Sequence, residues 1–304
     1  MRKLNIVLTA LAAACFLSGC AQTSPSADPS AATASTAVTD AERADAAYDA
    51  CIDALKDEDA DPESVFIKNF PYLTAEERTA LVDTWIYGVY NAAGQFVITD
   101  TQRSEYMRAL KPDRTFDQAL MDEKAWDEMQ ARAKDHIVLR FVNGELFYDV
   151  DYGYFHEKFG NALLPDYDML LEFFHEEKTV DYCDEGRVEL YPDVIVDRLN
   201  RLEQALADYP ESKVRDLIEE SRDFYRCEIF GAYAQDYVFE DGKIRDNVLN
   251  CYRTCADSMK DPETGAFMKE LADSYEVSHG VRTVPIYERI KQFCKVQEET
   301  KPES

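Results

Sequence analysis

Basic residues and glycine are scarce in this sequence of 304 residues. It has 33 Lys and Arg against 60 Asp and Glu, a formal net charge of −27, and no basic block. Nucleic-acid binding needs clustered Lys and Arg against the phosphates, so the composition argues against such a partner. Glycine numbers only 11, well under the usual ~7%, which disfavours a turn-rich all-β fold and favours helices.

Motifs for catalysis and cofactor binding are also missing. The sequence has no G-x-S-x-G, no phosphate-binding glycine loop and no dinucleotide fingerprint. His156 and His175 each precede a Glu as in zinc-protease helices, but Gly160 and Thr179 stand where the second imidazole belongs. Because C-x-x-C and paired-His spacings are absent too, we expect no cofactor and no metal.

The one long apolar stretch lies at the N-terminus. Arg2 and Lys3 precede Leu4–Phe16, which is too short to span a ~30 Å bilayer. Leu17-Ser18-Gly19-Cys20 follows and resembles the lipobox of bacterial lipoproteins. The resemblance implies cleavage before Cys20 and attachment of diacylglycerol to its sulfur, with acyl chains of the palmitate type. The alternative is an ordinary secretory signal in which the cysteine occurs by chance.

A lipid anchor at Cys20 would place the chain on the extracytoplasmic face of a cell membrane, or on the outer membrane in a host with two membranes. The mature chain would carry 31 basic and 60 acidic residues, a net charge of −29, and anionic lipid surfaces should repel it. Residues 21–40 are small, rich in Ser and Thr, and contain Pro25 and Pro29. We interpret them as a disordered tether with a reach of roughly 25 Å.

The remaining sequence predicts a mainly α protein with an α+β N-terminal part. Thr74 with Glu77 forms a capping box that predicts a helix ending near Gly94, and Thr115 with Gln118 predicts another helix reaching Lys134. The predicted organisation is a signal peptide (1–19), a lipidated tether (20–40), an α+β part (41–190), a stack of helical hairpins (191–299) and a tail (300–304).

One small β-hairpin is predicted near 137–150. Two runs of β-forming residues flank Asn143-Gly144, and this dipeptide favours a two-residue turn because both central residues need positive φ. An isolated hairpin is only marginally stable, so it must pack on helices or join another strand such as Gln95–Thr99.

The C-terminal part predicts antiparallel helical hairpins. Tyr209-Pro210-Glu211-Ser212 separates two helical patterns, and Pro262-Glu263-Thr264 does the same 52 residues later. The segment 202–213 resembles the helix-turn-helix junctions of tetratricopeptide-like repeats in bacterial envelope lipoproteins. That resemblance implies helical scaffolding and no chemistry, although the ~34-residue period of such repeats is missing.

Six cysteines lie beyond Cys20, and an even number in an exported protein favours disulfides. Helix geometry makes Cys251 and Cys255 poor partners for each other, since their side chains are parallel. Folding the flanking helices antiparallel places Cys227 opposite Cys255, which we take as the preferred pair. Buried free thiols are the alternative. The disulfide candidates are Cys51, Cys183, Cys227, Cys251, Cys255 and Cys294.

Aromatic residues are dense between 147 and 174, where they form either the core or a ligand groove. In the second interpretation, tyrosines and carboxylates would hold a sugar or a peptide, as aromatic walls with few polar groups do in ligand pockets. The candidate ligand-binding residues are Tyr148, Asp149, Asp151, Tyr152, Tyr154 and Glu157.

The preferred functional hypothesis is a non-enzymatic, membrane-anchored module that binds or scaffolds an envelope protein or polymer through its acidic helical surface. No catalytic residue is assigned under it. One alternative is a cell-wall polymer hydrolase with Asp149 and Glu157 as acid and base, which would require carboxylates about 5–9.5 Å apart in a cleft. Another is a solute-binding protein, which would require a deep pocket between its two parts.

Overall fold

A computed structural model of the protein describes residues 39–57, 59–184, 188–233 and 235–295. The helices are α1 (Asp40–Lys56), α2 (Pro62–Asn69), α3 (Ala75–Ala93), α4 (Asp100–Ala109), α5 (Glu123–Lys134), α6 (Tyr152–Phe159), α7 (Pro165–Glu177), α8 (Pro192–Asp208), α9 (Arg215–Ile229), α10 (Gln235–Val238), α11 (Asp246–Cys255), α12 (Pro262–Val277) and α13 (Val284–Phe293). The strands are β1 (Ile137–Val142), β2 (Glu145–Val150), β3 (Cys183–Asp184), β4 (Glu189–Leu190), β5 (Phe239–Glu240) and β6 (Lys243–Ile244). The mainly α fold class with one small β-hairpin near 137–150 is therefore confirmed. The predicted signal peptide, Cys20, nearly all of the tether and the tail at 300–304 lie outside the described residues.

Side-chain caps fix several of the helix starts. Thr74 accepts a hydrogen bond from the backbone N–H of Glu77, whose carboxylate accepts one in return, and α3 begins there as predicted. The helix predicted from Thr115 is wrong: α5 begins at Glu123, capped by Asp122. The backbone carbonyl of Thr115 instead accepts a hydrogen bond of 2.8 Å from the N–H of Lys111, which closes a loop.

The hairpin of β1 and β2 has the predicted register and turn. Ile137 pairs with Val150 and Val142 with Glu145, and the turn residues Asn143 and Gly144 have φ values of 52° and 82°. The two strands form a sheet of their own that packs on α3 and α5. Gln95–Thr99 is not a third strand, because it connects α3 to α4 and ends in the capping residue Thr99.

The C-terminal half consists of helical hairpins. Cross-contacts show that α8 and α9 are antiparallel: Arg198 contacts Tyr225, and Glu203, farther along α8, contacts Arg222, which is earlier in α9. A backbone hydrogen bond of 3.1 Å from Ser212 to Tyr209 closes the turn between these helices. Helices α11 and α12 form the other main pair. The very short hairpins β3–β4 and β5–β6 were not predicted.

One continuous core runs from Ala47 in α1 to Ile290 in α13. It crosses the boundary predicted at 190/191, so the two predicted parts share their apolar interior, and the boundary itself stays a prediction. Within the residues that the structure describes, none of the helices has both the length and the apolar character needed to span a bilayer.

Candidate functional site

The candidate ligand residues lie where the β1–β2 hairpin meets α6 and α7. Tyr148 is buried, and its hydroxyl hydrogen bonds with the hydroxyl of Tyr106 at 3.0 Å and accepts a bond of 2.8 Å from Nη1 of Arg132. The Arg132 guanidinium also lies over the Tyr148 ring, 4.6 Å from its centroid. Burial raises the pKa of Tyr148 far above its ordinary value. Tyr148 thus ties β2 to α4 and α5 by internal contacts.

Each of the two carboxylates at the end of β2 forms an ion pair with a different basic side chain. Asp149 is 6% exposed, and Oδ2 of its side chain lies 3.6 Å from Nζ of Lys178. Burial raises the pKa of Asp149, and Lys178 partly offsets that effect. Asp151 is half-buried and lies 3.1 Å from Nη2 of Arg140. Each carboxylate therefore has its charge compensated within the protein, as burial requires.

The two tyrosines of α6 make their contacts within the fold. Tyr152 is buried, with its ring centroid 5.3 Å from that of Phe174. Tyr154 stacks on His136 with centroids 3.8 Å apart, and its hydroxyl donates a bond of 2.5 Å to Glu63 of α2. Most of the proposed groove is thus aromatic core and its hydrogen-bonded rim.

Glu157, the last of the six candidates, is exposed on α6. Asp149 is buried and forms an ion pair with Lys178, so the two carboxylates proposed as acid and base have different environments. The contacts of the described residues include no hydrogen bond or ion pair that involves Glu157. An acid–base pair needs both groups to reach one substrate from a shared cleft, and this arrangement gives that hypothesis no support.

A buried polar chain that the sequence analysis missed connects the two predicted parts. Arg198 is 1% exposed; its Nη1 donates a bond of 2.9 Å to the Tyr225 hydroxyl, and its Nη2 donates one of 2.6 Å to the carbonyl of Val180. The Tyr225 hydroxyl in turn donates a bond of 2.6 Å to Oε1 of Glu177. Oε2 of Glu177 lies 3.8 Å from Nζ of Lys178, which reaches Asp149.

The sequence contains a pattern that indicates a buried charge at Arg198. Ile195, Leu199 and Leu202 form an apolar stripe on α8, and Arg198 falls within that stripe at helical spacing. A charged residue on a core-facing stripe requires buried partners. Those partners come from α7 and α9, which are distant in sequence, so the pattern could reveal the need for partners without identifying them.

A second buried acid lies beside the buried polar chain. Glu228 of α9 is 4% exposed and forms a side-chain hydrogen bond with Tyr182. Burial raises the pKa of Glu228 to about 7, and the bond to Tyr182 opposes that shift. Glu228 therefore titrates near neutral pH in the folded protein.

Two surface depressions lie among the described residues. One, of about 590 Å³, lies around the β5–β6 hairpin and the start of α11; the other, of about 580 Å³, lies along the first turns of α5. Both are lined mainly by charged side chains, and the second contains Asp122, Glu123, Asp127 and Glu128. Neither has the apolar wall that is typical of small-molecule sites.

Within the described part of the chain, no disulfide joins any two of the six candidate cysteines. Cys51 and Cys183 are buried, in α1 and β3. Cys227 forms a side-chain hydrogen bond with Cys294, and its sulfur lies 3.7 Å from the Cys294 carbonyl oxygen. Cys255 forms one with Cys251. Cys227 and Cys255 thus each lie beside a cysteine other than the predicted partner. Disulfide formation itself stays a prediction.

Comparison of the chain with protein-family profiles, curated proteins and solved structures finds no significant match.

Proposed function

We propose that the protein is a lipid-anchored, non-catalytic module on the extracytoplasmic face of a bacterial membrane, where its acidic helical surface binds a basic envelope partner. The proposal rests on one observation: most of the candidate ligand-binding residues already make contacts inside the fold. Five of its six residues, Tyr148, Asp149, Asp151, Tyr152 and Tyr154, form hydrogen bonds, ion pairs or ring contacts inside the fold. These contacts leave the outer surface as the region available for a partner.

The charge balance supports a basic partner. Several cations are used inside the fold: Arg198 is buried, and Arg132 and Arg140 are less than one-fifth exposed. Carboxylates outnumber cations almost two to one after removal of the signal peptide. Fields of one sign steer oppositely charged partners and repel like-charged surfaces. The lipobox resemblance at Cys20 and the small-residue tether after it provide the anchor and the spacing.

The test is recovery of a partner from envelope membranes with the full lipidated chain in detergent, at low and at high salt. We expect a basic partner that is retained at low salt and released as the Debye length shortens from ~30 Å to ~8 Å. Two variants locate the surface: Glu123→Gln with Asp127→Asn on α5, and Asp45→Asn with Asp49→Asn on α1. Recovery of no salt-sensitive partner would contradict the proposal.

A further inference from the structure

Asp193, Cys251 and Cys255 form a cluster of three metal-ligating side chains at the contact between α8 and α11. One donor atom from each residue, two sulfurs and one carboxylate oxygen, lies within 4.8 Å of the other two. Cys251 is buried, Cys255 is partly exposed and Asp193 is exposed. The cluster is thus open to solvent on one side and closed by the core on the other.

Side-chain hydrogen bonds hold the two helices in register on either side of the cluster. Nδ2 of Asn247 donates a bond of 2.9 Å to the carbonyl of Leu190, just before α8. Farther along α8, Nδ2 of Asn200 donates a bond of 3.3 Å to the carbonyl of Ser258, and its Oδ1 accepts one of 2.7 Å from the N–H of Lys260. A site whose supporting residues are fixed in this way is preorganised.

Helix geometry makes Cys251 and Cys255 poor disulfide partners for each other. They are four residues apart on α11, where helix geometry holds their Cβ atoms side by side rather than facing. A thiol that coordinates a metal ion loses its proton, so each sulfur would bind the cation as a thiolate.

We propose that Cys251, Cys255 and Asp193 bind a thiophilic divalent cation of the Zn²⁺ class, with water as the fourth ligand. Thiolates favour Zn²⁺ over Mg²⁺ and Ca²⁺, and one carboxylate with two sulfurs is an acceptable donor set. In a tetrahedral site with Zn–S bonds of about 2.3 Å, the sulfurs are about 3.8 Å apart. Loading converts two thiols and one cation into a dithiolate complex and releases two protons to solvent.

Co²⁺ is the probe, because thiolate coordination gives it a charge-transfer absorption in the near ultraviolet. The reduced full chain, purified in detergent, is titrated with Co²⁺ and then with Zn²⁺ as competitor. We expect one Co²⁺ per chain, displaced by Zn²⁺. Absence of the absorption in the folded protein would overturn the proposal.

Variants assign the ligands. Cys255→Ser is the main variant, since its partly exposed side chain can be changed with little effect on folding, and it should abolish the absorption; circular dichroism checks the fold. Asp193→Asn should weaken Co²⁺ binding at least as much as loss of a residue that only supports a ligand, about 10-fold or more. Cys227→Ser removes a thiol of the other cysteine pair and should leave binding unchanged. Three results would each contradict the assignment: the absorption is retained in Cys255→Ser, the Co²⁺ affinity is unchanged in Asp193→Asn, or the absorption is lost in Cys227→Ser.

Discussion

Tyr225 of α9 donates a hydrogen bond of 2.6 Å to Oε1 of Glu177, the last residue of α7. The same hydroxyl accepts a bond of 2.9 Å from Nη1 of Arg198. One oxygen atom therefore joins the partly buried acid Glu177 to the buried base Arg198 across the boundary that the sequence predicts at 190/191. Because buried charges are costly unless they are paired and hydrogen bonded, this hydroxyl has a large share in making the contact stable.

Tyr225→Phe should lower the free energy of unfolding by about 1–3 kcal/mol, because it removes the hydroxyl and leaves both charged partners without that bond. Urea denaturation followed by circular dichroism measures the change. Tyr72→Phe is the matched control, since Tyr72 is 55% exposed, and it should alter stability by less than about 0.5 kcal/mol. Equal effects of the two substitutions would show that the Tyr225 hydroxyl contributes nothing specific.

Titration of Glu228 should make the stability of the protein fall as the pH rises. Its pKa is about 7 in the folded protein and 4.5 as its ordinary value, so between these values the folded state holds more protons than the unfolded state. Stability then falls as pH rises through this window and levels off above pH 7. Glu228→Gln removes this term, so the stability of the variant relative to the parent should be about 2 kcal/mol more favourable at pH 8 than at pH 5.

Urea denaturation of both proteins at the two pH values checks this prediction. Glu157→Gln, which changes an exposed acid on α6, serves as the control for loss of one carboxylate and should alter stability by less than about 0.5 kcal/mol. A Glu228→Gln difference that is independent of pH would argue that this carboxyl titrates normally in the fold.

Gly160 is required by the side chain packed against it. A Cβ atom at this position would lie 1.9 Å from Oδ1 of Asp168, the same oxygen that is 2.8 Å from Nδ1 of His156. Gly160→Ala should therefore displace Asp168, break its bond to His156 and cost about 1–3 kcal/mol of stability.

Gly88→Ala is the matched control for Gly160→Ala. Gly88 lies inside α3, and a Cβ atom there has no neighbour within 4 Å. Because alanine is the better helix former, this substitution should stabilise the protein by about 0.5–1 kcal/mol. Thermal denaturation of both variants should give shifts of opposite sign. A neutral or stabilising shift in Gly160→Ala would contradict the packing described for Gly160.

Local sequence signals predicted the elements that depend on local chemistry. The Asn143-Gly144 turn and the Thr74 capping box are confirmed, because each depends on residues close in the chain. The suggestion of a strand at Gln95–Thr99 is wrong, because Thr99 with Gln102 forms a capping box that begins α4. The Thr115 box failed because the same Ser/Thr–Gln spacing also occurs in a closed loop.

Long-range partners explain what the sequence could not predict. The aromatic residues and carboxylates of 147–174 are compatible with a core or a groove, and the difference depends on Lys178, Arg140 and Glu63, which approach from other elements. The Asp193 cluster likewise depends on the register of α8 against α11, which no spacing within one helix encodes.

Metabolic labelling with radioactive palmitate tests the central claim most directly. The parent chain should be labelled and recovered with membranes, since several acyl chains anchor stably where one does not. Cys20→Ser should be unlabelled and released, whereas Cys15→Ser, which changes the other N-terminal cysteine, should still be labelled. An unlabelled parent chain, or labelling that persists in Cys20→Ser, would contradict the lipid-anchored function proposed for this protein.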